Sequence, residues 1–262
     1  MMTVLQSILS TKMREVHQLI KARDPSSWRD EALSAPPGRN FVAALRGSSH
    51  IPIVAEIKRR SVSEGILRSL DDVTPMARAY EQAGASALSV LTDGPFFGGS
   101  IEDLAQARGA VSLPVLRKDF IVDPVQVYQS RIAGADAVLL IAAALRPSQM
   151  RSLFALSIGL AMTPVVEVHH ESELHAVLEL NPPIIGINNR DLATLEVNLE
   201  TCVHLRPLIP RGILVLGESG IRGPEDIAML QEAGIDAFLI GSTLMRSEEP
   251  GAKLAELCRA GV

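Results

Sequence analysis

With 262 residues, 47% of them apolar and 21% charged, and with Gly and Pro scattered along it, the chain has the makeup of a protein that buries a large core, which excludes disorder. A net charge of −5 and a pI near 5.7 argue against a surface that tracks nucleic-acid phosphates, but leave room for a local basic pocket for one small anion. Cys202 and Cys258 lack CxxC spacing, and the longest uncharged apolar stretch, 137–145, is too short to span a bilayer; neither a disulfide framework, a thiolate metal site nor a membrane partner is expected, and a cytoplasmic setting fits.

The chain opens with a helical pattern, Val4, Ile8, Met13, Val16 and Ile20, inside a stretch of about 50 residues that precedes any strand signal. This N-terminal helical extension, residues 1–50, is expected either to cover a barrel floor or to reach toward an active-site face. Apolar, β-branched runs then follow at 52–57 (PIVAEI), 87–92, 114–118, 136–141, 164–168, 184–188, 213–217 and 236–240, each with a helical pattern after it. A near-repeat punctuates the series: EQAGASALSVL, RIAGADAVLLI and QEAGIDAFLI each end a helix, turn at a glycine (Gly84, Gly134, Gly234) and enter an apolar run. Glycines 50 and 100 residues apart imply a unit of about 25 residues, the length of one strand, one helix and two short loops. Such a glycine belongs at the helix C′ position, where φ is positive. Continuous apolar strands alternating with helices predict a parallel sheet of the α/β class buried on both faces, and eight units favour closure into a single (βα)8 TIM barrel over residues 1–262. A doubly wound open sheet is the alternative architecture.

In a parallel barrel the strand carboxyl ends meet at one mouth, where active sites of this architecture are built. Alternation along VAEIKR puts Val54, Glu56 and Lys58 on one face and Ala55 and Ile57 on the other, so the charged pair points inward. The same logic turns Lys118 of PVLRKDF, Glu167 of PVVEVHH and Glu218 of LVLGESG inward, with Asn188 and Arg190 following the sixth strand in IGINNRD. A single Lys or Glu at a strand end is usually a solvated rim residue. Two lysines and three glutamates converging from four strands are harder to dismiss, because buried charges need partners and such clusters mark catalytic sites. After the last two strands, GESGI (217–221) and IGSTLMR (240–246) combine small residues with backbone amides at helix starts, which predicts a phosphate seat. His169, His170 and His175 are spaced like metal ligands, but without an accompanying carboxylate cluster they read as loop and helix-surface residues, and no metal site is expected.

The segments VAEIKRRSVSEG, SVLTDGPFFGGS, PVLRKDFIVDP, GADAVLLIAAAL, VVEVHH, IGINNRDLATLEVN, GESGI and AFLIGSTLMR resemble, in order, the eight strand-end motifs of the indole-3-glycerol phosphate synthase family, and ILSTKMREV resembles its extra helix before the first strand. The resemblance implies ring closure of 1-(2-carboxyphenylamino)-1-deoxyribulose 5-phosphate, with loss of CO2 and water and without a cofactor. It implies Lys118 as general acid, Glu167 as the base of the later dehydration, and Glu56, Asn188 and Glu218 as further members of the catalytic set. It places Lys58, Gly220, Gly241 and Ser242 on the phosphate. Ser61, Phe97, Phe120 and Leu139 would line the pocket for the aromatic ring, and Arg190, Glu218 and Ser219 would hold the sugar chain. The chain ends soon after the eighth unit, which suggests one activity rather than a fusion, in a monomer or weak homodimer. A related phosphate-binding isomerase of the phosphoribosylanthranilate type, or a catalytically impaired sugar-phosphate-binding paralogue, are the alternatives. One stretch departs from the family: Ser61-Val62-Ser63-Glu64-Gly65 stands where Ser-Pro-Ser-Lys-Gly is usual, which predicts a more mobile first loop, less welcoming to an anion, with Arg60 offsetting the reversed charge.

Overall fold

The computed structural model describes residues 3–260. Thr3 opens the first helix, α1 (Val4–Ala22), through a reciprocal capping box with Gln6, and two shorter helices follow, α2 (Pro25–Ser34) and α3 (Phe41–Arg46). The eight barrel strands are β1 (Ile53–Ile57), β2 (Ala87–Leu91), β3 (Val115–Lys118), β4 (Ala137–Ile141), β5 (Thr163–Val168), β6 (Ile184–Asn188), β7 (Leu214–Glu218) and β8 (Ala237–Ile240). All pair in parallel in sequence order, and β8 closes on β1 with Phe238 opposite Ile53, so the sheet is a closed (βα)8 barrel rather than an open one. The expected strands match the observed ones to within about a residue at either end. Gly84, Gly134 and Gly234 carry φ values of 95°, 88° and 89°, the left-handed turn that ends each preceding helix and that a side chain would strain.

Strand alternation sorts the apolar residues into two cores. Val54, Leu116, Leu139, Val165, Leu216 and Leu239 fill the barrel interior. Ala55, Ile57, Val90, Leu140, Val166, Ile187, Val215 and Ile240 pack outward against the helices. The inward set thus includes every strand on which a charged side chain was expected to face the barrel axis.

The N-terminal segment serves both functions expected of it. Phe41 and Leu45 of α3, 0% and 1% exposed, belong to the interior core and stopper the amino-terminal end of the barrel. At the opposite end, Val4, Leu5 and Ile8 of α1 line the mouth. Residues 1 and 2 of the expected extension, and 261 and 262, lie outside the described residues. After β1, Arg60–Ser61 and Gly65–Ile66 pair as a two-residue antiparallel hairpin that the apolar periodicity gave no reason to expect. No helix among the described residues is long and apolar enough to cross a membrane.

Candidate active site

Glu56, Glu167 and Glu218 are each 3% exposed or less and project from β1, β5 and β7 into one opening, where Lys58 and Lys118 meet them. The Lys118 ammonium lies 2.7 Å from Glu167 Oε2 and 2.5 Å from Glu218 Oε2, and Lys58 Nζ lies 2.8 Å from Glu56 Oε1. Room for this crowding comes from glycine. A Cβ on Gly241, just past β8, would stand 2.2 Å from Glu56 Oε1 and 3.0 Å from Lys58 Nζ, and one on Gly186 of β6 would stand 2.2 Å from Glu218 Oε1.

Electrostatics divides the cluster. Burial works against the charge on Lys118, but Glu167, Glu218 and Glu56 more than compensate and hold its pKa well above the ordinary lysine value. Burial likewise opposes ionisation of Glu167, yet Lys118 and His169 keep it well below the usual carboxylate range. Glu218 goes the other way: burial, together with the charges of Glu167 and Glu56, overrides Lys118 and pushes it up to about 7. Of the three carboxylates, Glu218 is the one that burial and its carboxylate neighbours drive to keep its proton.

His169 belongs behind this cluster and not on a helix surface. It follows Glu167 by two residues, is 5% exposed, and lies with Nε2 3.2 Å from Glu167 Oε1, an ion-pair distance without hydrogen-bond alignment. Burial resists its protonation, but Glu167 and Glu173 push it up to about 10, so it is a cation at neutral pH. Alternation along VEVHH carried the signal, since Glu167 and His169 share a face. His170 and His175 are exposed, as expected of loop and helix-surface residues. Among the described residues no three His, Cys, Asp or Glu side chains are arranged to hold a metal ion.

A cavity of about 280 Å³ joins these groups to every other candidate residue. Its interior floor is Leu139 of β4 and its aromatic wall is Phe97 with Phe120, whose ring centroids are 6.3 Å apart at 30°. Ile8 of α1 completes that side. Asn188 ends β6 opposite Glu218, and its Oδ1 accepts the Arg190 amide at 3.0 Å. On the remaining rim, Ser219 and Gly220 take left-handed φ values of 65° and 84°, and Gly241 and Ser242 open the short helix Ser242–Arg246. The two rims are tied: Thr243 Oγ1 donates to Ile221 O at 2.6 Å. Arg222 and Arg246 also border this end of the cavity, a contribution that sequence spacing alone did not single out.

The unusual first loop closes over the mouth. Ser61 Oγ lies 3.2 Å from Ser63 Oγ, the Arg190 guanidinium donates to Ser63 Oγ at 2.9 Å, and Glu64 faces Arg246 at 3.1 Å and Arg190 at 3.7 Å. The reversed charge at Glu64 is therefore met by Arg190 and Arg246 and not by Arg60, which is solvent-exposed. Within this loop Ser61 pairs with Gly65 across the short hairpin.

The family model for indole-3-glycerol phosphate synthase matches residues 5–257. Indole-3-glycerol phosphate synthase of Polaromonas naphthalenivorans (strain CJ2) is 46% identical over 260 residues, spanning 98% of this chain and 99% of that protein. The enzymes of the same name from Bordetella pertussis (strain Tohama I) and Neisseria meningitidis serogroup B are each 46% identical as well, over 97% and 98% of this chain and 98% and 100% of theirs. Among solved structures, thiamine phosphate pyrophosphorylase from Pyrococcus furiosus superimposes with a TM-score of 0.60 over 83% of this chain and 96% of that one; at 15% identity this likeness concerns the fold alone.

Proposed function

The chain belongs to the indole-3-glycerol phosphate synthase family, and on that premise we propose how its own side chains carry the reaction. The activity is a carboxy-lyase step of tryptophan biosynthesis: 1-(2-carboxyphenylamino)-1-deoxyribulose 5-phosphate closes to indole-3-glycerol phosphate, releasing one CO2 and one water. The observation that carries the assignment of roles is the Lys118 ammonium held between Glu167 and Glu218 inside a cavity whose far rim is built from Ser219, Gly220, Gly241 and Ser242.

The ring carbon that bears the carboxylate must attack the ketone carbon of the sugar chain, and the ketone oxygen gains charge as it does so. Lys118 gives that oxygen its proton. An ammonium with a raised pKa is fully protonated at neutral pH, and it yields its proton only to a stronger base such as the oxyanion that forms in this step. Loss of CO2 returns the ring electrons. The new hydroxyl then departs as water on a proton from Glu218, which stays protonated near neutrality, while Glu167, kept ionised by Lys118 and His169, takes the proton from the adjoining carbon. Glu167 passes its proton back to Lys118, 2.7 Å away, and Glu218 is reprotonated from solvent between turnovers, which accounts for the one proton the overall reaction consumes. Glu56 and Asn188 orient the reacting groups, and Lys58 bridges the charges of phosphate and carboxylate.

Substrate placement follows the chemistry of each rim. The aromatic ring suits Phe97, Phe120, Leu139 and the Ser61 side; the sugar chain suits Arg190, Glu218 and Ser219; the phosphate suits Lys58, Gly220, Gly241 and Ser242, where glycine lets backbone approach an anion. We take residues 1–262 as one barrel unit acting as a monomer or weak homodimer, with the buried free thiols of Cys202 and Cys258 fitting a reducing cytoplasm.

The test is turnover of the carboxyphenylamino-deoxyribulose phosphate, followed by the fluorescence of the indole product. Lys118→Ala is expected to lower kcat by about 10²- to 10⁴-fold, the range of a lost general acid. A variant as fast as the parent would discard Lys118 as the acid.

A further inference from the structure

Beyond the cavity lies a second buried charge cluster that the reaction does not use. Lys12, in the middle of α1, is 2% exposed, and its ammonium lies 2.8 Å from Asp119 Oδ1, 3.0 Å from Asp93 Oδ2 and 2.7 Å from Glu15 Oε2. A lysine sunk this deep is costly unless paired, and the pairing is uneven. Asp119 has a second cation, Arg117 at 3.0 Å, as well as a hydrogen bond from Thr92, whereas Asp93 Oδ2 has no hydrogen-bond partner and Lys12 as its ion-pair partner.

Each of these aspartates fixes the backbone beside an aromatic wall residue. Asp93 caps the four-residue helix Gly94–Phe97 by accepting from the Phe96 amide at 2.8 Å, and that helix carries Phe97. Asp119 directly follows Lys118 and accepts from the Phe120 amide at 2.8 Å. On α1 itself, Ile8 lies one turn before Lys12 on the same face and lines the cavity. Three pieces of the ring pocket, from α1, the β2 loop and the β3 loop, therefore converge on one ammonium group.

We propose that Lys12 is a positioning residue: by neutralising Asp93 and Asp119 together it sets Ile8, Phe97 and Phe120 at the spacing the substrate ring requires, so that docking of α1 is linked to substrate binding. Val16, one turn after Lys12, packs in the outer core beside Asp119 and Arg117 but carries no charge and does not line the substrate cavity, so it supplies the comparison for lost packing alone.

The inference rests on the reaction assigned above, so turnover by the unaltered enzyme is established first; its absence would fail that assignment and not this one. Lys12→Met keeps helix propensity and approximate length while deleting the charge. It is expected to lower kcat/KM about tenfold or more, chiefly by raising KM, because the displaced walls bind the ring. Val16→Ala is expected to lower Tm while holding kcat/KM within about twofold of the parent. Equal kcat/KM in Lys12→Met and the parent overturns the proposal, and so does an equal loss in Val16→Ala at matched Tm. Should Lys12→Met not fold, Asp93→Asn decides: it keeps the oxygen that caps Phe96 but drops the charge, and KM is expected to rise about threefold. An unchanged KM there overturns the proposal as well.

Discussion

At the scale of single residues, the site's most informative property is that two of its carboxylates hold their protons so differently. Glu218 has its pKa pushed from an ordinary 4.5 up to about 7, so its contribution to folding stability is complete below pH 4.5 and is lost as pH rises through 7. Glu167 acts with the opposite sign, contributing above the ordinary range and losing that contribution as pH falls. Glu218→Gln removes the first effect. Its Tm is expected to exceed the parent's at pH 8 and to equal it near pH 5, a gain on the order of 3 kcal/mol at most, while kcat falls; paired thermal melts at the two pH values check this. The identities of the five charged residues, and the face each occupies, were legible because β alternation is strict and an inward charge breaks an apolar pattern. Which carboxylate keeps its proton was not legible. That depends on angstrom-scale distances between strands β1, β3, β5 and β7, which no local pattern encodes. His169 shows the limit from the other side: its register was readable, but a histidine beside a second histidine invites a surface reading.

At the scale of elements, the loop after β1 is where sequence pointed to the wrong ion-pair partner. The reversed charge of Glu64 reads as offset by Arg60, its neighbour in sequence. Arginines from 126 and 182 residues further along the chain meet it instead, and such long-range partners leave no mark in a five-residue window. The arrangement has a kinetic correlate. Glu64 occupies the guanidinium groups that an incoming carboxylate or phosphate would otherwise use. Glu64→Gln is therefore expected to lower KM by about threefold at low ionic strength, in keeping with the ~1 kcal/mol ceiling of exposed pairs, and to differ little from the parent in ~0.5 M salt. An unchanged KM at low salt would show that Glu64 and the substrate do not compete.

At the scale of the whole molecule, the barrel's two ends have separate duties. Phe41 seals the end remote from the cavity, so Phe41→Ala is expected to cost about 3–5 kcal/mol and to lower Tm by about 10 °C, with KM unchanged where the protein is folded. Calorimetry and steady-state kinetics on one sample separate the two effects. The architecture itself was largely legible: repeat spacing gave the unit, and eight apolar runs gave the count. Closure was not written in any one segment. It resides in the pairing of Ile53 with Phe238, residues from opposite ends of the chain. That pairing has a price during synthesis. The strand made first must wait roughly 10 to 40 s for the last to leave the ribosome, at about 5–20 residues per second. Throughout that interval, and indefinitely in any chain broken off before Ala237, the flanks of β1 and of the last strand made offer open rows of amide and carbonyl groups to neighbouring polypeptides. Prematurely terminated products of this gene should thus be among the first to precipitate in a cell short of chaperones.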